Sequence, residues 1–209
     1  MADGLDSSVT AVEIVTRSYA VTGQCYGVSE HIRLIDLLNV PKMTHLQLTD
    51  AKVREFSESR EVVSTKGLFL IERDSVVFGR SLESPEEEAR RRETRRIDFV
   101  EKAAHRMLVF ASPFRVTGNL HIIREADLSV ALPRLFEGFL AITDASVVHE
   151  AASGVAWESR FIAVNGRYVE MVCPSLPANW RDQPVKAKEA GGGQGRASSE
   201  TSQPDSSAA

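Results

Sequence analysis

The amino-acid sequence predicts a mainly β protein: two tandem copies of a small β-barrel or β-meander unit, each with a short helix, joined by a charged helical connector and followed by a disordered C-terminal tail. Three observations carry that expectation. Blocks of the chain recur in the same order: YAVTGQC at 19–25 as FRVTGNL at 114–120, LQLTDAKV from Leu46 as LAITDASV from Leu140, and LFLIERDSVVF at 68–78 as the looser FIAVNGRYVEM at 161–171. Within these blocks apolar residues alternate with a period of two, the mark of half-buried strands. From Pro177 onward the chain turns to Gly, Ser, Ala and charge with Trp180 as its single aromatic, too little apolar surface to offset the entropy of ordering. The units are expected over 10–82 and 97–176, the connector over 83–96 and the tail over 177–209.

Each unit opens with two strands. Val12 and Ile14, then Tyr19, Val21, Gly23 and Cys25, are matched by Met107 and Val109, then Phe114, Val116, Gly118 and Leu120. Arg17 and Ser18 in one copy, and Ser112 and Pro113 in the other, interrupt the alternation with a tight turn or a bulge, since proline has no N–H for a central ladder. Gly23 and Gly118 at matched positions predict close backbone approach or strong bending.

The period then changes. Ile32, Leu34, Ile35, Leu37 and Leu38 in HIRLIDLLN suit a short amphipathic helix ending at Asn39, and ADLSVALPRLF provides a similar set ending at Pro133. Strands return with Leu46 and Leu48, and with Leu140 and Ile142, and are expected to end at the shared Thr-Asp-Ala, where Asp50 and Asp144 turn the chain. The last strand pair of each unit is split by polar residues, Glu72 to Asp74 and Asn165 to Arg167, and Asn165-Gly166 carries a hairpin signal.

In the connector, ESPEEEARRRETRR, Ser84 is placed to cap a helix, Pro85 to occupy its first position, and Glu86 to Glu88 its first turn. Arg90, Arg91, Arg92, Arg95 and Arg96 fall toward its end, where the helix dipole favours cations. These arginines are the candidate contact for an acidic or otherwise anionic partner.

RLIDLLN followed by LQLTDA and a closing strand pair resembles an uncharacterised bacterial family of small β-rich domains. Gly23, Asp36, Asn39, Asp50 and the run IERDSVVF from Ile71 also fall in an order similar to the Sm-like RNA-binding fold. That resemblance spans about residues 19–78 and more loosely 114–171, where Val130 and Pro133 stand at the positions of Asp36 and Asn39. It implies a single-stranded RNA site in which Asn39 reads a base edge, His31 stacks and Arg73 holds phosphate.

A formal charge of -4 and a pI near 5.8 leave no general footprint for nucleic acid or an anionic membrane. Two cysteines, Cys25 and Cys173, form no CxxC pair, and the five histidines, His31, His45, His105, His121 and His149, form no HxH, HxxxH or HExxH frame. No metal site and no cofactor are expected. GxSxG, GxxxxGK[ST] and GxGxxG after a strand are all missing, and GGGQG at 191–195 follows no strand. With no secretory leader and no long apolar run, the sequence points to the cytoplasm. What recurs between the copies is apolar or turn-forming, which favours a shape over an active site. The expectation is a non-enzymatic adaptor or scaffold that binds other proteins and is open to self-association. An Sm-like RNA binder, with nucleic acid disfavoured by the charge, and a small-molecule sensor with its ligand between the two copies are the alternatives.

Overall fold

A computed structural model describes residues 9–28, 32–58, 60–84, 86–87, 101–124 and 127–174 of the 209-residue chain. In chain order the elements are β1 (Val9–Val15), β2 (Tyr19–Tyr26), α1 (Leu34–Leu38), β3 (His45–Glu55), β4 (Glu61–Thr65), β5 (Phe69–Glu72), β6 (Phe78–Ser81), β7 (Lys102–Ala111), β8 (Phe114–Ile123), α2 (Leu128–Leu135), β9 (Phe139–His149), β10 (Ala156–Asn165) and β11 (Val169–Pro174). The protein is therefore mainly β, as its alternating pattern predicts. Among the described residues no helix is long and apolar enough to cross a membrane.

The strands build one large, open antiparallel sheet in the order β11-β7-β8-β9-β10-β6-β1-β2-β3-β4. β5 pairs with β3 beside β4, so these two short strands together make one broken partner for β3. Two separate barrel or meander units do not describe this arrangement. The fourth strand of the second half, β10, is hydrogen-bonded to the last strand of the first, β6, with Ala163 opposite Gly79 and Val164 opposite Phe78. Each half nevertheless runs through the same succession, two hairpin strands, a helix, a long strand, its partner, a 3₁₀ turn and a closing strand on the opposite side.

Thr-Asp-Ala does not end its strands. β3 and β9 run straight through it, because the motif is a bulge locked against the other recurrent motif, Val-Thr-Gly. Thr22 pairs with Lys52 and Gln24 with Thr49, leaving Asp50 and Ala51 opposite the single Gly23; Thr117 pairs with Ser146 and Asn119 with Thr143, leaving Asp144 and Ala145 opposite Gly118. Asp50 and Asp144 are left-handed, at φ 50° and 48°, a conformation that Asp tolerates better than most side chains. A Cβ on Gly23 would lie 2.9 Å from the Thr49 carbonyl oxygen, and one on Gly118 would lie 2.9 Å from that of Thr143 and overlap the Ile142 Cγ2 methyl. The bulge thus needs glycine across from it, and the predicted close approach is found in both halves.

Three other expectations change. α2 runs two residues past Pro133 because its neighbouring backbone bonds, Ala131 N to Asp127 O and Phe136 N to Leu132 O, do not use the missing proline N–H. Asn165-Gly166 makes no hairpin: a 3₁₀ turn at Gly166–Tyr168 carries the chain away, so β10 pairs with β9 and β6 while β11 pairs with β7. Asn165 Oδ1 accepts the Arg167 N–H across that turn. Of the connector, Ser84 and Glu87 cap each other reciprocally, Ser84 N to Glu87 Oε2 at 2.8 Å and Glu87 N to Ser84 Oγ at 3.2 Å. The course of the connector beyond Glu87, the tail at 177–209 and His31 lie outside the described residues.

Candidate interaction site

Side chains from both halves converge where β6 meets β10. Phe78 is fully buried there, edge-on to Phe114 and Trp157 with ring centroids 5.3 Å from each. Phe56 and Val77 of the first half join the same cluster with Val116, Val147 and Val164 of the second. Among the described residues this cluster packs the junction of β6 with β10. Polar contacts frame it. Asn165 Nδ2 donates to Val76 O at 2.9 Å, Arg167 bonds to the Asp74 carboxylate, Tyr168 Oη donates to Asp74 O at 2.9 Å, and Arg17 lies over the Tyr168 ring. Arg80 bridges the halves, Nε on Glu13 Oε2 at 2.7 Å and Nη1 on Glu158 O at 3.0 Å.

On the matching face of the first half Val21, Val53 and Ile71 are buried, while Tyr19 and Val63 are exposed. Among the described residues β5 and β4 bond only to β3, and beside them lies an apolar hollow of about 360 Å³ lined by Tyr19, Val21, Val53, Val63, Leu70 and Ile71, among others. Tyr19, Val63 and Leu70 are exposed, Leu70 by 53%. At the far end of the sheet β11 bonds, among the described residues, only to β7, and its Met171 is 58% exposed. An edge of unpaired backbone groups next to an apolar hollow can take up another strand and seat one of its side chains.

The residues expected to bind RNA take other partners. The structure brings Asn39 and Arg73 together around Phe139. Asn39 is the C-cap of α1, and its amide accepts from Phe139 N at 2.8 Å and donates to Phe139 O at 3.1 Å. Arg73 Nε donates to Leu38 O at 2.6 Å, and its guanidinium lies 5.5 Å from the centre of the Phe139 ring. Asp36 is held by Arg33 at the start of α1. Asn39 and Arg73 together dock α1 onto β9. His31, Arg90, Arg91, Arg92, Arg95 and Arg96 lie outside the described residues.

Cys25 is buried, and desolvation pushes its thiol up to about 12. His149 is buried between Phe56 and Phe114; its Nδ1 accepts from Ala151 N and Ala152 N, and burial holds its pKa below the ordinary value. His121 bonds to Thr143 and His45 to Thr44. Among the described residues no three His, Cys, Asp or Glu side chains group to hold a metal ion. β4, the Phe56 plug and the Arg80 bridge escaped the sequence reading; Phe56 and Trp157 as lone aromatics beside the recurrent blocks were the available signal. Compared with known protein families, curated proteins and solved structures, the chain matches none.

Proposed function

We propose that the chain is a non-enzymatic adaptor or scaffold protein that binds other proteins by adding their strands to the uncovered edges of its sheet. The observation that carries this reading is the β5 edge with the apolar hollow beside it. In strand addition, main-chain hydrogen bonds provide affinity while pockets for alternate side chains provide selectivity, and both elements stand together here. The element order common to the two halves, and the same Gly-Asp bulge in each, support a duplicated unit in which shape is the retained property. The free thiols of Cys25 and Cys173 support action in a reducing compartment such as the cytoplasm.

The test is affinity capture from the native cell with the full chain and with Leu70→Lys, which puts a charge on the edge without disturbing a buried position. The expected result is one or more proteins retained reproducibly by the wild type and lost with the variant. Equal capture by the wild type and the variant would overturn the reading.

A further inference from the structure

We infer that the strand taken up by the β5 edge is β11 of a second copy of this chain, so that the protein assembles head to tail. The inference rests on the reading that these edges bind protein, and its template lies inside the molecule. The contact between the halves joins the closing strand of one to the fourth strand of the other. The two ends of the sheet are the same two kinds of edge, left over: β11 closes the second half, and β5 with β4 is the fourth strand of the first.

The registers make the correspondence residue by residue. Phe78 lies opposite Val15 in β1, and Met171 opposite Phe110 in β7; Val15 and Phe110 in turn sit opposite Ala20 and Arg115, the same step of their hairpins. Val164 lies opposite Leu140, and Ile71 opposite Leu46, at the start of the matched LAITDA and LQLTDA blocks. Val63 opposite Val53 corresponds to Trp157 opposite Val147. Transferred between molecules, the Phe78–Val164 pair becomes Met171 against Ile71, and Gly79–Ala163 becomes Val172 against Leu70.

Burial on the two sides fits this transfer. Phe114, Val116, Val147, Trp157 and Val164 are all buried, with Phe78 seated among them. Their counterparts Tyr19, Val21, Val53, Val63 and Ile71 line the hollow, Tyr19 and Val63 exposed and the other three buried, and among the described residues none of β6 lines it. The residue in the place of Phe78 is Met171, exposed at the other end of the sheet, and an unbranched thioether adapts well to an irregular apolar space. Asn39, Phe56 and the Arg80–Glu13 pair have no like counterparts between molecules; Cys173 stands at the place of Arg80 and Leu108 at that of Glu13. The contact between chains is therefore smaller than the one within the chain, and reversible. Because the two surfaces differ, each added chain presents a fresh edge, and growth ends only by ring closure.

Light scattering after size-exclusion chromatography, over a wide range of concentration, tests this with the full chain, Leu70→Lys and Met171→Asp. Both substitutions fall on exposed side chains, and thermal unfolding verifies that each variant is folded; Leu70→Thr and Met171→Thr replace one that is not. The wild type is expected to exceed the mass of one chain as concentration rises. Each variant alone is expected to stay monomeric. An equimolar mixture of the two is expected to form dimers and nothing larger, since one variant keeps its β11 edge and the other its hollow. A monomeric wild type at every concentration, a single variant that still assembles, or a mixture that stays monomeric would overturn the inference. If the wild type is monomeric while Leu70→Lys loses a captured protein, self-assembly falls and the adaptor reading stands; if Leu70→Lys changes neither result, both fall.

Discussion

Asn39 and Phe139, a hundred residues apart in the chain, are joined by two hydrogen bonds in which the side-chain amide of one answers both backbone groups of the other. A helix cap of the first half thereby completes a strand end of the second. Asn39→Ala would leave the N–H and C=O of a buried residue without these partners, and we expect a loss of about 2–3 kcal/mol in denaturant unfolding. Asn39→Asp keeps the acceptor for Phe139 N but sets a carboxylate against the Phe139 carbonyl, so it should recover little of that loss. Stability unchanged in Asn39→Ala would mean that the halves do not depend on this link.

The bulge locks predict an order of effects. Gly118→Ala drives a methyl into Ile142 and the Thr143 carbonyl, whereas Gly23→Ala meets the Thr49 carbonyl and a movable Leu48 methyl at 3.1 Å. Both should destabilise, Gly118→Ala more, by roughly 2–3 kcal/mol. Asp50→Val, which puts a β-branched residue at positive φ, should cost about 1–2 kcal/mol, while Asp50→Gly should cost much less. Chemical denaturation of the four variants decides it.

His149 gives the fold an acid-sensitive position. Its folded pKa lies below 6.5, chiefly because burial disfavours the imidazolium, so between that folded value and 6.5 the unfolded chain holds a proton that the folded chain does not. This contribution is complete above 6.5, and stability falls as pH drops through that value. His149→Asn retains an acceptor for Ala151 N and Ala152 N without a titrating ring. Urea midpoints measured on either side of pH 6.5 should converge in the variant relative to wild type; an identical pH dependence would rule the imidazole out.

The two thiols should separate cleanly. Cys173 is exposed, whereas Cys25 is buried with a pKa near 12. An aromatic disulfide reagent at neutral pH should therefore titrate one thiol in the native chain and two in denaturant. Two rapidly reacting native thiols would place Cys25 elsewhere.

What was legible in the sequence was local. Alternation at Val12, Ile14, Met107 and Val109 announced strands, and the paired glycines announced close approach, because each signal is written within a few residues of its effect. In sequence Asp50 and Asp144 look like strand ends because Asp at a turn and Asp at a bulge satisfy the same backbone preference, and only the strand across the ladder distinguishes them. Asn39 was read through its surroundings in sequence, where it is a helix end, while its amide partners sit on another strand. The β6–β10 junction was equally hidden: a two-pair ladder between distant segments leaves no periodicity in either.

The glycine-aspartate bulges have one more consequence, for how the chain finds its fold. They share one register pattern, a glycine opposite an aspartate and an alanine, in β2 with β3 and in β8 with β9. The lock enforces alignment but carries no address. Correct partnering must then come from proximity along the chain, each hairpin finding the strand that follows its own short helix before the distant one arrives. Where two chains fold at high local concentration that advantage shrinks.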